Sequence, residues 1–354
     1  MPVASQSPGV SRPHVIKLPG QRRRRYAKKL LQLHPLNSPP PPTSSQCSSS
    51  IPLRIICISD THNTQLDLPP GDLLIHAGDL TENGSFDEIQ TQLDWLASQS
   101  HQHKLVVAGN HDVLLDEEFL ARYPERRYND TRILRDLDWG DVKYLCDASI
   151  TLTLYPNPEH SPSMGGNATN QIPTSSDITI SDGTRIVATE GRNLTVYGSP
   201  RTPQYGISAF QYPRHQNPWA NKILPDTDIV VTHGPPRFYL DKRDFHNAGC
   251  AYLAQEIGRV RPSLVVFGHI HVGYGREEVV LNKMRREHDS VLNGWSGWGS
   301  LFLMAIYLLF ARLHGLVCSR EKMVKSERVT IFVNAAVVGT NNQLQNEPIV
   351  VDLN

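Results

Sequence analysis

Five short runs of Val, Ile and Leu limit the folds that this chain can adopt. Continuous apolar runs of this length are typical of strands that are buried on both faces, because each side of such a strand must be kept from water. The runs cover residues 54–59, 73–77, 104–108, 228–232 and 263–267. We therefore predict a sheet whose central strands are covered on both sides.

Helical patterns separate some of these runs. Ser85 with Glu88 three residues later is a capping box, which marks the start of a helix between the second and third runs, and Ile89, Leu93 and Leu96 fall on one face of that helix. Another helix is predicted over residues 249–261, between the fourth and fifth runs. Strands that alternate with helices predict an α/β fold.

A second, more antiparallel sheet is predicted from residues 141–154 and 177–198. Both stretches alternate with a period of two, and Asp182 with Gly183 supplies a hairpin turn. Residues 156–176 are rich in Pro, Gly, Asn and Ser, which predicts a long surface loop. Two further strands are predicted over residues 328–338 and 348–353.

The first 50 residues differ in composition from the remainder. They contain no Asp or Glu, carry a basic run at 22–25, and end in consecutive prolines and serines, a composition that buries too little apolar surface to fold. We predict a disordered tail over residues 1–50 and one folded domain over residues 51–354. Nuclear or mitochondrial targeting by the basic segment is the alternative to a merely solvated tail.

Whole-chain composition bears on partners and compartment. The formal net charge is zero, so the chain as a whole has no electrostatic attraction to nucleic acid, and we predict no specific nucleic-acid binding. The five cysteines are odd in number and far apart. This spacing predicts buried thiols in a reducing, intracellular and cytoplasmic environment.

Residues 301–311 are wholly apolar and lie in a predicted helical insertion over residues 283–327. These eleven residues cover about half of the roughly 20 that a membrane-spanning helix needs. Because the later strands must rejoin a sheet, a buried or interface-lying helix is the preferred interpretation. Peripheral contact with a membrane or a partner protein through this helix stays open.

Each of the five apolar runs ends in side chains that can bind a metal. Open α/β sheets place functional groups beyond the carboxyl ends of their strands, so these side chains are expected to converge on one crevice. Nitrogen and oxygen ligands without a nearby cysteine suit divalent ions such as Mn, Fe or Zn. In chain order the residues are Asp60 and His62, Asp79, Asn110 with His111, His233, and His269 with His271.

Two of the motifs are more specific than the others. The sequence Gly-Asn-His-Asp at 109–112 has a glycine that lets the backbone turn tightly before three polar groups. In Gly-His-Ile-His at 268–271 the two imidazoles are two residues apart and point the same way in an extended segment. Each motif alone also fits a surface loop, but all of them in this order favour a metal site.

The order of these motifs resembles the calcineurin-like metallophosphoesterase superfamily, whose blocks are D-x-H, G-D, G-N-H-[DE], H and G-H-x-H. All five blocks occur between Asp60 and His271. The sequences His-Ala-Gly-Asp at 76–79 and Thr-His-Gly-Pro-Pro at 232–236 resemble the subfamily of metallophosphoesterase domain-containing proteins. The resemblance implies two mixed β-sheets packed as a sandwich and flanked by helices, with the metal site at the carboxyl ends of the strands.

The resemblance also implies two divalent metal ions. Two cations roughly 3.5 to 4 Å apart need an anionic bridge to offset their repulsion, and a shared water whose pKa falls to about 7 supplies a hydroxide for in-line attack on phosphorus. Carried over by position, one ion is held by Asp60, His62 and His271, the other by Asn110, His233 and His269, and Asp79 bridges them.

His111 follows a predicted ligand and is not counted as one. We predict that it acts as the general acid, protonating the leaving oxygen or contacting the phosphoryl group. Asp112 is predicted to orient the imidazole of His111, as carboxylates near metal sites do. A helix cap is the alternative role for Asp112.

The predicted reaction is hydrolysis of a phosphoester. The resemblance implies a phosphodiesterase that acts on a small or cyclic nucleotide-like substrate. A protein serine/threonine phosphatase comes second, because that branch has G-D-x-V-D-R-G at the second block, whereas Leu-Thr-Glu-Asn-Gly follows Asp79 at 80–84. A nuclease of the same fold comes third. A metal-binding adaptor with weak activity is the alternative from another class, although no ligand position is lost.

Overall fold

Two large sheets carry the candidate residues in this computed structural model, which describes residues 20–35, 37, 52–155, 157, 191–317, 328–339 and 343–353. The chain divides into a larger unit, Ser38–Asn282 with Arg320–Asn354, and a smaller unit, Met1–Asn37 with Lys283–Ser319. The strands are β1 (Leu53–Ile58), β2 (Leu73–Ala77), β3 (His103–Val107), β4 (Val142–Tyr144), β5 (Ala148–Leu154), β6 (Arg192–Ser199), β7 (Thr202–Pro203), β8 (Gln211–Tyr212), β9 (Ile229–Thr232), β10 (Lys242–Arg243), β11 (His246–Asn247), β12 (Leu264–Phe267), β13 (Gly275–Val280), β14 (Val329–Asn334) and β15 (Ile349–Leu353). The helices are α1 (Gln21–Gln32), α2 (Phe86–Ala97), α3 (Glu117–Arg122), α4 (Ala251–Val260), α5 (Lys283–Asn293) and α6 (Trp298–Val317).

Both large sheets are mixed. The first has the order β15-β1-β2-β3-β4, in which β1 to β4 are parallel and β15 is antiparallel to β1. The second has the order β13-β14-β12-β9-β6-β5, with parallel pairing at its centre and antiparallel pairing at both edges. Parallel central strands place their carboxyl ends at one edge of each sheet, which is where the candidate ligands follow.

The apolar core lies between the two sheets and beneath the helices. Along β1, Ile55 and Cys57 belong to a buried cluster that includes Val266 of the second sheet, whereas Ile56 and Ile58 belong to a cluster shared with α2. Alternate residues of a strand point to opposite faces, so β1 is buried on both sides. Each such aliphatic side chain stabilises the fold by about 1.5–3 kcal/mol. The predicted α/β sandwich flanked by helices is confirmed.

Helix α2 begins where the capping box predicts. The N–H of Glu88 donates to the hydroxyl of Ser85, and the N–H of Ser85 donates to the carboxylate of Glu88. Ile89, Leu93 and Leu96 are all buried on one face of this helix. The local sequence therefore determines both the first residue of α2 and its buried face.

The five apolar runs form strands as predicted, but they divide between the sheets. The first three are β1 to β3 of the first sheet, and the last two are β9 and β12 of the second. Residues 141–154, which we predicted for the second sheet alone, form β4 in the first sheet and β5 in the second, with Asp147 at φ 49° between them. Periodicity indicates a strand, but its pairing depends on residues far away in the chain.

Helix α1 corrects the prediction of a disordered segment over residues 1–50, as far as residues 21–32 are concerned. Ala27 and Leu31 lie one turn apart on α1 and are buried against Met284 and Val291 of α5 and Met304 of α6. The apolar surface that stabilises this helix comes from a segment some 250 residues later in the chain. The composition of the tail alone therefore does not reveal it.

The apolar segment of residues 301–311 lies within helix α6, which has 20 residues. Leu301 and Met304 are buried, whereas Phe302 and Phe310 are exposed. Over Trp298–Gly315 this helix is long and apolar enough to cross a membrane, by length and composition alone. Three predicted features lie outside the described residues. They are the loop at 156–176, apart from residue 157, the hairpin turn at 182–183, and residues 318–327 of the insertion.

Candidate metal centre

All seven predicted ligands lie just beyond the carboxyl ends of parallel strands in the larger unit. Because each sheet presents these ends at one edge, side chains from distant parts of the chain meet there. Asp60 and His62 follow β1, Asp79 follows β2, Asn110 follows β3, His233 follows β9, and His269 and His271 follow β12.

The first group of candidate ligands contains Asp60, His62 and His271, whose ligand atoms lie within 4.8 Å of one another. Nε2 of His271 is 3.2 Å from Oδ1 of Asp60. The backbone N–H of His269 also donates to the Asp60 carboxylate, which is fully buried. This group therefore joins the loop after β1 to the loop after β12.

The second group contains Asp79, His233 and His269, again within 4.8 Å of one another. Nε2 of His233 lies 3.3 Å from Oδ2 of Asp79 and 3.0 Å from Oδ1 of Asn110. The side-chain oxygen of Asn110 thus joins the same group of nitrogen and oxygen atoms.

Asp79 lies between the two groups. Its Oδ2 is 3.3 Å from Nε2 of His233 and 3.9 Å from Nε2 of His62, one histidine from each group. Asp79 also forms a third group of potential ligands with His62 and His111. A carboxylate in this position can serve two cations at once.

The histidines present nitrogen atoms that fit a metal. Both ring nitrogens of His62 are buried without a hydrogen-bond partner among the described residues, although Nδ1 lies 3.2 Å from Glu82. His233 and His271 each direct Nδ1 to a backbone carbonyl, of Ala77 and Gly339 respectively, both at 3.0 Å. Metal-bound histidines are held in this way, with the second N–H on a carbonyl and the other nitrogen facing the ion.

The carboxylates and histidines of the centre shift one another's pKa values. Burial alone would raise the pKa of Asp60 and Asp79, but the hydrogen bond from His271 lowers that of Asp60 to about 2, and the charge of His233 holds the pKa of Asp79 well below its usual range. Although burial lowers the pKa of His233, Asp79 raises it to about 9. Two buried carboxylates thus require positive charge beside them, and divalent cations would supply it in place of a proton.

The backbone at the centre is strained. Asp60, His62, Asp79 and His269 have φ values of 54°, 43°, 53° and 66°, in the left-handed region that non-glycine residues rarely adopt. Such residues cost about 1–3 kcal/mol each and concentrate at functional sites. The N–H of Asp60, which donates to the carbonyl of Gly78 at 2.8 Å, helps to hold this conformation.

Two motif glycines allow the carboxylates to approach the backbone. A Cβ atom on Gly109 would lie 2.1 Å from Oδ1 of Asp79, and one on Gly268 would lie 2.0 Å from Oδ2 of Asp60. We predicted that Gly109 allows a tight turn, but its φ is not positive. Its role is instead to leave room for the side chain of Asp79.

His111 borders the same centre. Its backbone N–H donates to Oδ1 of Asp79 at 2.8 Å, and its ring lies edge-on to that of His62, with 4.7 Å between the centroids. Nδ1 donates to the carbonyl of Glu82 at 2.6 Å. This contact fixes the ring and leaves Nε2 as the nitrogen that can act on a substrate.

Asp112 does not contact the imidazole of His111, so the predicted orienting role is wrong. Its buried carboxylate accepts hydrogen bonds from the N–H groups of Gly109, Leu80 and Thr81 and from the Thr81 hydroxyl. It makes no side-chain cap to the short helix that follows, so the alternative is wrong as well. Burial and the charge of Asp79 raise the pKa of Asp112 to about 6. Asp112 instead joins the loops after β2 and β3. The local sequence pattern had suggested only an interaction with the adjacent His111 or with the helix that follows.

A cleft of about 820 Å³ opens onto the candidate ligands. Besides His62, Asp79 and the loop of His269, it is lined by Tyr205 and by Lys242 and Arg243 of the β10–β11 hairpin. The ring of Tyr205 lies 4.9 Å from that of His269. We did not single out Tyr205 or the two cations from the sequence, because exposed tyrosines and basic residues are common in loops.

The chain is similar in sequence to known calcineurin-like phosphoesterases. The sequence profile of the calcineurin-like phosphoesterases matches residues 53–273. The chain is 31% identical to human metallophosphoesterase domain-containing protein 1 over 309 residues. The aligned region covers 85% of this chain and 71% of the human protein. It is 32% identical over 231 residues to UPF0046 protein T07D4.2 of Caenorhabditis elegans, covering 63% of this chain and 52% of that protein.

A further relative is much longer than this chain. A probable rhamnogalacturonate lyase C of Emericella nidulans is 36% identical over 304 residues, which cover 85% of this chain but 24% of that protein. The family profile spans every candidate ligand from the loop after β1 to the loop after β12. The chain therefore belongs to the calcineurin-like phosphoesterase family.

Proposed function

We propose that this protein is a dinuclear metal-dependent phosphodiesterase that acts on a small, nucleotide-like substrate. The observation that carries this proposal is the position of Asp79, whose Oδ2 faces a histidine of each ligand group. A single carboxylate shared by two groups of nitrogen and oxygen atoms is what a pair of cations needs.

The donor set fits two ions. Asp60, His62 and His271 would hold one, and His233 and its partners the other, with Asp79 between them. Carboxylate, amide and imidazole atoms without thiolate favour Mn, Fe or Zn. The partners of His233 in the second position are Asn110 and His269. When bound, the ions would polarise the phosphoryl group and activate a water molecule for in-line attack.

The protein's own groups would position and protonate the substrate. His111 is held by the carbonyl of Glu82 through Nδ1, so Nε2 can contact the phosphoryl oxygen or donate a proton to the leaving oxygen. Lys242 and Arg243 are exposed at the rim of the cleft and would attract an anionic substrate. Tyr205 offers an aromatic ring beside His269 on which a base could stack.

A small diester suits the cleft better than a phosphoprotein. The cleft volume of about 820 Å³ is that of a small-molecule site. The residues that follow Asp79 are Leu-Thr-Glu-Asn-Gly at 80–84, so this segment presents no cation to grip the phosphate of a protein substrate. A protein serine/threonine phosphatase-like phosphomonoesterase is therefore the second candidate, and a metal-binding adaptor with weak activity the third.

The lyase activity in the name of the relative from Emericella nidulans is not proposed for this protein. The aligned region covers 24% of that protein, and its name describes the whole protein. Asp79 instead belongs to one group of potential ligands with His62 and to another with His233, an arrangement that suits metal-assisted hydrolysis.

Elemental analysis of the purified protein, combined with hydrolysis assays in added manganese, tests the proposal. We expect two ions per chain and faster hydrolysis of bis(p-nitrophenyl) phosphate than of p-nitrophenyl phosphate. Preference for the monoester would favour the phosphatase, and bound metal without hydrolysis of either compound would favour the adaptor. A protein without metal under replete conditions would overturn the metal centre itself.

A further inference from the structure

One face of α6 is apolar and uncovered within the smaller unit. Trp298, Phe302 and Phe310 are 62%, 68% and 63% exposed, and Leu309 and Leu313 are also exposed. Positions 298, 302, 309 and 313 are spaced by four, seven and four residues, that is by one or two helical turns, so together with Phe310 they form one apolar stripe along the helix. The opposite face of α6 packs on α1 and α5. A stripe of this size marks an interaction surface.

The same unit is strongly basic. Its described residues include ten Lys and Arg but two Asp and Glu, although the whole chain has no net charge. Arg24, Arg25 and Lys28 of α1 are exposed. Tyr26 of α1 contacts Trp298, with 6.2 Å between the ring centroids, so the basic helix adjoins the start of the apolar stripe. An apolar face beside clustered cations complements an anionic lipid surface, where Trp residues are also enriched.

The connections of the insertion argue against a membrane-spanning helix. Val280, which ends β13, and Val329, which begins β14, are register partners, so the chain leaves the sheet and re-enters it at the same place. After α6 the ten residues 318–327 are too few for a second crossing, which needs roughly 20. The charged residues of α1 and α5, which pack on α6, would also have to enter the hydrocarbon.

We propose that the smaller unit binds the surface of an anionic lipid bilayer, with α6 lying in the interface. The stripe of Trp298, Phe302, Leu309, Phe310 and Leu313 enters the boundary between headgroups and acyl chains. The cations of α1 contact the anionic headgroups. Helices of this kind bind by apolar burial and by electrostatic attraction together, so both contributions are required for stable attachment.

Flotation of the full-length protein with phosphatidylcholine vesicles, with and without phosphatidylserine, tests this proposal. We expect binding to the anionic vesicles, little binding to the neutral ones, and release at high salt. Phe302→Ser with Phe310→Ser should weaken binding about tenfold or more, whereas Phe245→Ser, a change at a fully exposed phenylalanine of the larger unit, should not. Unchanged melting temperatures would show that the variants fold.

A second pair of variants separates charge from apolar contact. Arg24→Gln with Lys28→Gln should weaken binding to anionic vesicles about tenfold, and the matched change Arg135→Gln with Lys222→Gln on the larger unit should leave it unchanged. Equal binding of the wild type to both vesicle types, or no binding, would overturn the proposal.

Two other occupants of the stripe give distinct results. A solution dimer that becomes monomeric on replacement of Phe302 and Phe310, without vesicle binding, would assign the stripe to a second copy of the chain. Retention on vesicles after alkaline carbonate extraction would show an integral helix. Either result would overturn attachment at the bilayer surface.

Discussion

The backbone N–H of His269 donates to both carboxylate oxygens of Asp60, at 3.1 and 3.0 Å, across 209 residues of sequence. This contact is possible because Gly268 has no side chain, since a Cβ there would lie 2.0 Å from Oδ2 of Asp60. The geometry of the candidate metal centre therefore depends on a residue that binds no metal.

Gly268→Ala should weaken metal binding about ten- to hundredfold, because Asp60 must move away from its position beside His271. Metal affinity is measured by titration of the apoprotein. Gly258→Ala is the matched control, since a Cβ at this position in α4 meets open space. That change should stabilise the protein by about 0.5–1 kcal/mol and leave metal affinity unaltered. Equal metal affinity for the two variants would contradict the steric role of Gly268.

His111→Ala should slow turnover by about a hundredfold or more while the metal content stays the same, because Nε2 of His111 is the proposed proton donor. Turnover of the diester and elemental analysis check the two parts of this prediction. His215→Ala, at an exposed histidine, should change neither. Full activity of the His111 variant would remove this residue from the mechanism.

Asp79→Asn should release both ions, because the neutral amide no longer offsets the charge of two cations. In the wild type, metal at about a hundred times its Kd should stabilise the fold by about 2.7 kcal/mol, which thermal unfolding with and without a chelator measures. The variant should show no such stabilisation. Two tightly bound ions in Asp79→Asn would refute the bridging role.

Asp112→Asn should lower the free energy of unfolding by about 2–3 kcal/mol. Each carboxylate oxygen accepts two hydrogen bonds from the loops after β2 and β3, and an amide would turn its NH2 group toward two of these donors. Urea denaturation measures the loss. The same change at the exposed Asp226 should have little effect. Similar stability of both variants would argue against the joining role of Asp112.

Lys242→Gln and Arg243→Gln should each raise KM for an anionic diester about two- to fivefold with little change in kcat. Each exposed charge contributes only a small free energy, and it contributes this energy to substrate binding and not to the chemical step. Steady-state kinetics at low salt measure this change, which should shrink at high salt. Arg135→Gln and Lys222→Gln serve as controls away from the cleft. A KM equal to that of the wild type in both cleft variants would exclude this hairpin from substrate binding.

Much of the fold could be predicted because strands and helices leave local patterns. The run at 73–77 forms β2 with the predicted bounds, and the capping box of Ser85 and Glu88 determines the start of α2. The order of the ligand motifs predicted a shared crevice, since parallel strands end at one edge. In contrast, the role of Asp112 was not predictable, because its partners Leu80 and Thr81 are 32 and 31 residues away.

By itself, the sequence determined that the five apolar runs form strands and that nitrogen and oxygen ligands follow them, because runs of apolar residues and the polar residues that end them are local patterns. Only the tertiary structure decided that the five runs divide between two sheets, that Asp112 joins the loops after β2 and β3, and that α1 packs on α5 and α6. These features depend on the free energy of contacts between residues distant in the chain, and no local pattern records which distant segments will meet.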